Sequence, residues 1–258
     1  MQGTAGSPDG LSIAFDTEGA GSPALVFVHG WSCDRSYWSA QLRHFAPRHQ
    51  VVAIDLAGHG QSDAGRAEYT MPSYGRDVAA VADRLGLNSM VLVGHSMGGD
   101  VNLEAAAELG SRVVGHVWVD VYFSLGRPRS ASEVEGFLGP LRGDFVGETT
   151  RLVQTMFLPE ADTALASWVV SDMASAPSEV AINEAGHSIS NQEALLQRLA
   201  TNSVPIVAIN FDWRPTDAQS LAVYGIRTVR MPGVGHFGMM EDPARFNRML
   251  DEVIASFA

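Results

Sequence analysis

The stretch Gly94-His95-Ser96-Met97-Gly98-Gly99 decides how this chain is read. It directly follows the apolar run Met90–Val93 and directly precedes Met97–Leu109, whose apolar residues recur at three- and four-residue spacing. A serine flanked by small residues between a strand and a helix has the setting that a nucleophile elbow requires. The tight strand-to-helix turn forces strained backbone angles on Ser96, so Gly94 and Gly98 must be small for the chain segments to pass each other. The Ser96 hydroxyl is then expected above the sheet edge, with the helix N-terminus and the Met97 N–H aimed at an incipient oxyanion. In isolation G-x-S-x-G is a common glycine-rich turn; the strand before it and the helix after it carry the functional reading.

Working outward, short runs rich in β-branched residues recur at Ala24–Val28, Val51–Ile54, Met90–Val93, Val113–Val119, Val204–Ile209 and Thr228–Arg230, each short enough for a buried strand. Between them Tyr37–Phe45, Ser73–Leu85, Met97–Leu109 and Pro243–Phe257 carry helical spacing, and Pro243 suits a first helical turn after Asp242. Alternation of this kind predicts a mostly parallel sheet covered by helices on both faces. It breaks between about Tyr122 and Asn202, where Phe137–Leu141, Phe145–Phe157, Ala164–Met173 and Gln192–Leu199 read as helices and Ala176-Pro177-Ser178 as a break. The expected organisation is a core domain of residues 1–121 and 203–258 carrying an inserted helical cap, 122–202.

Bulk properties narrow the function. With 46% hydrophobic residues over 258 positions the chain can bury a sizeable core, which excludes disordered and fibrous classes. A formal net charge of −12 repels phosphate backbones and anionic lipid heads, so neither nucleic acid nor a membrane surface is an expected partner. Met1–Asp9 lacks the basic start and apolar run of a secretory signal, no stretch reaches transmembrane length, and one cysteine allows no internal disulfide. A cytoplasmic location is the expectation. Cys33 follows an apolar strand, as some nucleophiles do, but lone cysteines in that place are usually packing residues.

Two more motifs bear on chemistry. His29-Gly30-Trp31 ends the strand Ala24–Val28, where a turn can supply the second donor of an oxyanion hole; by position that donor is the Trp31 N–H. His29 itself reads as a residue bracing the turn. Gly233-Val234-Gly235-His236-Phe237 lies between the last strand and the last helix, on a loop that can swing over the sheet edge to meet Ser96. Of the eight histidines, His44, His49, His116 and His187 have no such setting. Neither metal-ligand spacing nor a dinucleotide fingerprint is present, so no cofactor or metal is implied.

In these motifs the sequence resembles the α/β-hydrolase superfamily across nearly its whole length. His29-Gly30, Asp55-Leu56-Ala57-Gly58-His59-Gly60-Gln61-Ser62, Gly94–Gly99 and Gly235-His236 match the family's motifs in order, with Ala57 where proline is more usual. The resemblance implies an α/β-hydrolase fold in which the Asp55–Ser62 turn is structural, Ser96 is the nucleophile and His236 the base. For the third member the pattern fails locally. Relatives usually carry the acid after the penultimate strand, but here the segment reads Ile209-Asn210-Phe211-Asp212-Trp213-Arg214-Pro215, with Arg214 at the usual acid position. Asp120, at the end of Val113–Val119, is where some relatives place it; Asp212 is the alternative. Their bland readings are a strand-end loop cap for Asp120 and an Asx turn before Pro215 for Asp212.

The implied activity is that of a cofactor-independent carboxylesterase acting on small to medium esters with an apolar acyl group. The cap would be the substrate filter, and Phe123, Phe137, Phe145, Met156, Phe157, Trp168 and Met173 are candidates to line its pocket, although aromatic residues on helices are most often core. The same triad also serves lactone, amide or C–C bond hydrolysis and perhydrolysis, and a non-catalytic ligand receptor is a further reading of the scaffold. A homodimer is open.

Overall fold

A computed structural model describes residues 1–126 and 128–257. Eight strands form one sheet: β1 (Gln2–Gly6), β2 (Ser12–Glu18), β3 (Ala24–Val28), β4 (Val51–Ile54), β5 (Met90–His95), β6 (Val113–Val119), β7 (Ile206–Asn210) and β8 (Arg227–Arg230). Their order is β1-β2-β4-β3-β5-β6-β7-β8. The pairings of β1 with β2 and of β2 with β4 are antiparallel, and all the others are parallel.

The inner strands are buried on both faces, which is why they read as continuous apolar runs. Alternate residues serve opposite layers. Phe27, Val91, Val93, Val117 and Val119 pack with Trp38, with Phe45 of α1 (Ser39–Phe45) and with Phe246 and Leu250 of α11 (Pro243–Ala255). Val26, Val28, Val52, Ile54 and Leu92 pack with Tyr74, Val78 and Val81 of α2 (Met71–Arg84) and Val101 and Ala105 of α3 (Met97–Leu109). This two-layer burial presents the carboxyl ends of β3, β5 and β6 side by side, and the loops that follow them converge there.

Between β6 and β7 lie α4 (Ala131–Gly143), α5 (Phe145–Gln154), α6 (Thr163–Ala174), α7 (Ser178–Ser190) and α8 (Gln192–Thr201). The short helices α9 (Ala218–Ala222) and α10 (Gly238–Glu241) complete the chain. Pro177 sits between α6 and α7, as the break at that position predicts, but α7 itself is not predicted from the sequence: most of its residues are small or polar and give a weak helical stripe. Strands β1 and β2 are likewise additions. The β1 side chains are Gln, Gly, Thr, Ala and Gly, so its extended state comes from backbone pairing, Gln2 opposite Asp16 through Gly6 opposite Ser12, and not from an apolar pattern. Strand β7 starts two residues later than the apolar run Val204–Ile209 suggests, after Pro205, whose carbonyl accepts from His116 N–H.

The Asp55–Ser62 turn is a structural device. Asp55 is buried and its carboxylate accepts from the Arg35 and Gln61 backbone N–H groups, both at 2.8 Å, and pairs with the Arg35 guanidinium. A second buried charge cluster anchors the β1–β2 hairpin to α2. Asp77 is fully buried and accepts from Arg66 at 2.7 and 3.0 Å and from the Ser7 hydroxyl at 2.5 Å, while Arg66 also pairs with Asp9 at 2.6 Å. Removing one partner of such a pair strands the other charge in the interior. Asp77→Ala is therefore expected to destabilise the fold by about 3–5 kcal/mol in urea unfolding; a loss under about 1 kcal/mol, in the range of exposed ion pairs, would contradict the assignment.

Candidate active site

The site grows from three strained residues. Ser32, Ser96 and Asp120 are the non-glycine residues with positive φ among those described, at 54°, 51° and 52°. They follow the ends of β3, β5 and β6, three neighbouring strands. Such backbone angles are costly and persist only where the surroundings fix them. Here the sheet ladder does part of this, since Ser96 N–H donates to Val119 O at 3.0 Å and Asp120 N–H to Ile209 O at 2.9 Å.

Ser96 is the residue before α3, half-buried, with φ 51° and ψ −122°. The turn demands glycine on both sides. A Cβ on Gly94 would lie 2.3 Å from Gly98 O, and one on Gly98 would lie 2.5 Å from Val28 O and 2.7 Å from His29 O. The second contact shows how closely the start of α3 is pressed against the end of β3. That proximity brings the Trp31 and Met97 backbone amides to the same edge as Ser96, and neither amide donates to an acceptor among the described residues. His29 braces this turn, as read from the sequence: its Nε2 accepts from Leu56 N–H at 3.0 Å, which leaves Nδ1 protonated to donate to Gly30 O at 2.8 Å. Cys33 is a buried packing residue whose thiol donates to Trp31 O at 3.3 Å, and burial pushes its proton affinity up, away from the nucleophilic thiolate.

His236 comes to the serine's side of the sheet through its neighbours. His95, adjacent to Ser96, holds its ring 4.5 Å from the His236 ring and donates Nε2–H to His236 O at 2.9 Å. The His236 N–H donates to Met156 O at 2.8 Å, and the Trp213 ring lies 4.5 Å from the His236 ring while its Nε1–H donates to Thr155 O at 2.7 Å. The imidazole is thus held between the sheet edge and the segment that follows α5.

The two candidate acids stand in different places. Asp120 is fully buried; its Oδ2 is 2.7 Å from His236 Nδ1, and its Oδ1 accepts from Phe211 N–H at 2.8 Å. Asp212 is instead occupied with its own turn, accepting from Arg230 at 2.6 Å and from Gly233 N–H at 2.8 Å, and these contacts hold its carboxyl below the usual range. Arg214, at the position where relatives usually carry the acid, stacks over the Trp213 ring with its guanidinium carbon 4.1 Å from the centroid. Burial pushes Asp120 up to about 7. Burial, aided by the charge of Arg214, pushes His236 down to about 3. Each partner is driven toward its neutral form, so the pair exchanges one proton as a unit.

Of the seven candidate pocket residues, Met156 and Met173 are buried in the core and Phe157 stacks on Phe237 at 5.2 Å. Phe123 and Phe145 lie nearer the site, 5.5 Å from the Trp213 ring and 6.2 Å from the Trp31 ring. Trp168 is 44% exposed against Tyr37, and Phe137 is partly buried on α4. A groove of about 630 Å³ between α4 and α7, lined by Leu138, Arg142, Ile182 and His187 among others, includes no residue of the Ser96 cluster. Among the described residues no helix is long and apolar enough to cross a membrane.

Residues 25–249 match the model of the alpha/beta hydrolase family, and the chain belongs to that family. Over 130 residues it is 33% identical to the dihydrolipoyllysine-residue acetyltransferase component of the acetoin cleaving system of Cupriavidus necator, covering 50% of this chain and 34% of that one. Over 92 residues it is 40% identical to a non-heme haloperoxidase of Rhodococcus erythropolis, covering 35% and 33%. The chain therefore spans about a third of the length of these curated relatives. Among solved structures it resembles the esterase RhEst1 of Rhodococcus sp. ECU1013, with 25% identity, a TM-score of 0.79, and coverage of 100% of this chain and 99% of that one.

Two residues at the site carry no expectation from sequence. Trp213 figures there only within the candidate acid turn, yet it packs on His236. Glu184 lies on α7, which the apolar pattern does not reveal; its signal is spacing, since it falls on the buried stripe Val180, Ala181, Glu184, Ala185. For the Asp120–His236 pair, the Asp120 carboxyl should take up a proton as the pH falls through about 7, seen by NMR as a shift of the adjoining His236 ring signals while that ring stays neutral, and Asp120→Asn should abolish that transition. An unchanged transition in the variant would contradict the coupling.

Proposed function

We propose that this chain is a serine hydrolase acting on carboxylic esters of small to medium size with an apolar acyl group. The observation that carries the reading is the 2.7 Å contact of His236 Nδ1 with the buried Asp120 carboxylate, with the same imidazole packed on His95, the neighbour of Ser96. In this mechanism His236 Nε2 takes the Ser96 proton as the hydroxyl oxygen attacks the ester carbonyl. Asp120 fixes the tautomer that leaves Nε2 free and stabilises the imidazolium. The Trp31 and Met97 amides bind the oxyanion, and His236 returns the proton to the departing alcohol. Water, deprotonated by His236, then releases the acid from the acyl-enzyme.

Phe123 and Phe145, together with the apolar edges of α5 and α6, favour an apolar acyl group, and the inserted helices α4–α8 act as the cap that limits its size. A second reading, perhydrolysis, replaces water by hydrogen peroxide in the second step and releases a peracid; the similarity to a non-heme haloperoxidase favours it. The partner of the protein in either case is a small molecule, and the reaction uses no cofactor.

Purified protein should release nitrophenol from short and medium p-nitrophenyl esters, and Ser96→Ala should abolish release. Asp120→Ala should lower kcat by about 10⁴-fold, whereas Asp212→Ala should leave it within a few-fold. Comparable small losses from both aspartates would sink the assignment of the acid, and turnover surviving in Ser96→Ala would sink the nucleophile. Peracid formation when peroxide is added separates the second reading from the first.

A further inference from the structure

Glu184 is fully buried, on a helix inserted between β6 and β7, yet its carboxylate reaches into the sheet domain. Its Oε1 accepts from the Ser32 backbone N–H at 3.3 Å and lies 3.2 Å from His59 Nε2; its Oε2 accepts from the Tyr74 hydroxyl at 2.6 Å. Burial works against a charge on His59, but the Glu184 carboxylate outweighs it and holds the imidazole above its ordinary proton affinity. One turn earlier on the same helix, Ala181 O accepts from the Trp31 indole N–H at 2.7 Å. Two consecutive residues of the turn after β3 are therefore fastened to α7, Trp31 through its side chain and Ser32 through its backbone.

Those residues adjoin the Trp31 amide. Ser32 sits in the left-handed region at φ 54°, a conformation unfavourable for a serine, and its buried N–H needs an acceptor. An apolar side chain at position 184 would suit the buried face of α7 beside Val180 and Ala185, and would avoid burying a carboxylate. It would also leave the Ser32 N–H, the Tyr74 hydroxyl and His59 without their partner.

We propose that Glu184 is a positioning residue: by holding Ser32 and seating α7 on the turn, it aims the Trp31 N–H at the oxyanion, so that the oxyanion hole is complete only when this inserted helix is docked. The inference rests on the acyl-transfer reading of Ser96. An oxyanion donor acts on the transition state and not on the bound ester, so loss of its alignment lowers kcat and leaves KM nearly unchanged.

The test compares Glu184→Leu, Glu184→Gln and Trp31→Phe with the wild type for thermal unfolding, for kcat and KM on p-nitrophenyl acetate, and for inhibition by a trifluoromethyl ketone, whose serine adduct carries an oxyanion. Glu184→Leu is expected to lose on the order of 10–100-fold in kcat, with KM within about twofold, and to lose ketone affinity by the same factor. Glu184→Gln keeps an oxygen for the Ser32 N–H and should recover kcat to within about threefold of wild type. Trp31→Phe, which keeps the backbone donor but loses the bond to Ala181, should show the same pattern more weakly and carries the test if Glu184→Leu does not fold. A folded Glu184→Leu with wild-type kcat, a loss confined to KM, or a folded Glu184→Gln no better than Glu184→Leu overturns the role. If Glu184→Leu does not fold, wild-type kcat in Trp31→Phe overturns it. Wild-type protein with neither ester turnover nor ketone inhibition overturns the acyl-transfer reading, and this inference with it.

Discussion

A buried hydrogen bond, His236 Nδ1 to Asp120 Oδ2 at 2.7 Å, closes the edge of the sheet at which Ser96 lies. It spans 116 positions of sequence and joins the loop after β8 to the end of β6. For it to form, β5, β6 and β7 must be in register, since Ser96 and Asp120 are held by ladder bonds to Val119 and Ile209. Asp120 must also adopt a left-handed backbone conformation that directs its carboxylate to both the imidazole and the Phe211 N–H. The fold thus concentrates its strained backbone where three strand ends meet, and the parallel core beneath them is rigid enough to keep it there.

The inserted helices take part in the same construction. His236 is tied through its own N–H to Met156, Trp213 to Thr155, Tyr37 to Asp172 at 2.8 Å, and the turn after β3 to α7. These contacts mean that the geometry around Ser96 depends on both parts of the chain. The chain belongs to the alpha/beta hydrolase family, and α4–α8 are fastened to the sheet edge through these contacts.

Much of this was legible in the amino-acid sequence because the inner strands are buried on both faces and must be apolar throughout. Ala24–Val28, Val51–Ile54 and Val113–Val119 begin and end where the apolar runs do, and the elbow announces itself because only glycine fits on both sides of Ser96. The less legible parts have a different physical origin. Strand β1 is made by pairing and not by side-chain pattern, and α7 buries small residues that leave no strong stripe. The choice between Asp120 and Asp212 could not be read from spacing alone, because both follow strands that border the histidine loop. The two differ in tertiary surroundings: Arg230 and the Gly233 N–H occupy the Asp212 carboxylate, whereas the Asp120 carboxylate meets the Phe211 N–H and His236. Glu184 was hidden for the same reason, a polar residue whose partners come from Ser32, His59 and Tyr74, all more than 100 positions away.

The central claim is that this edge forms a covalent acyl intermediate on Ser96. Rapid acid quench of the protein during turnover of a p-nitrophenyl ester, followed by peptide mass spectrometry, tests it directly. The account predicts the acyl mass on the peptide containing Ser96 and its absence from the Ser96→Ala protein. Acyl mass on another residue, Cys33 included, or ester turnover with a burst of nitrophenol and no adduct at Ser96, would contradict it.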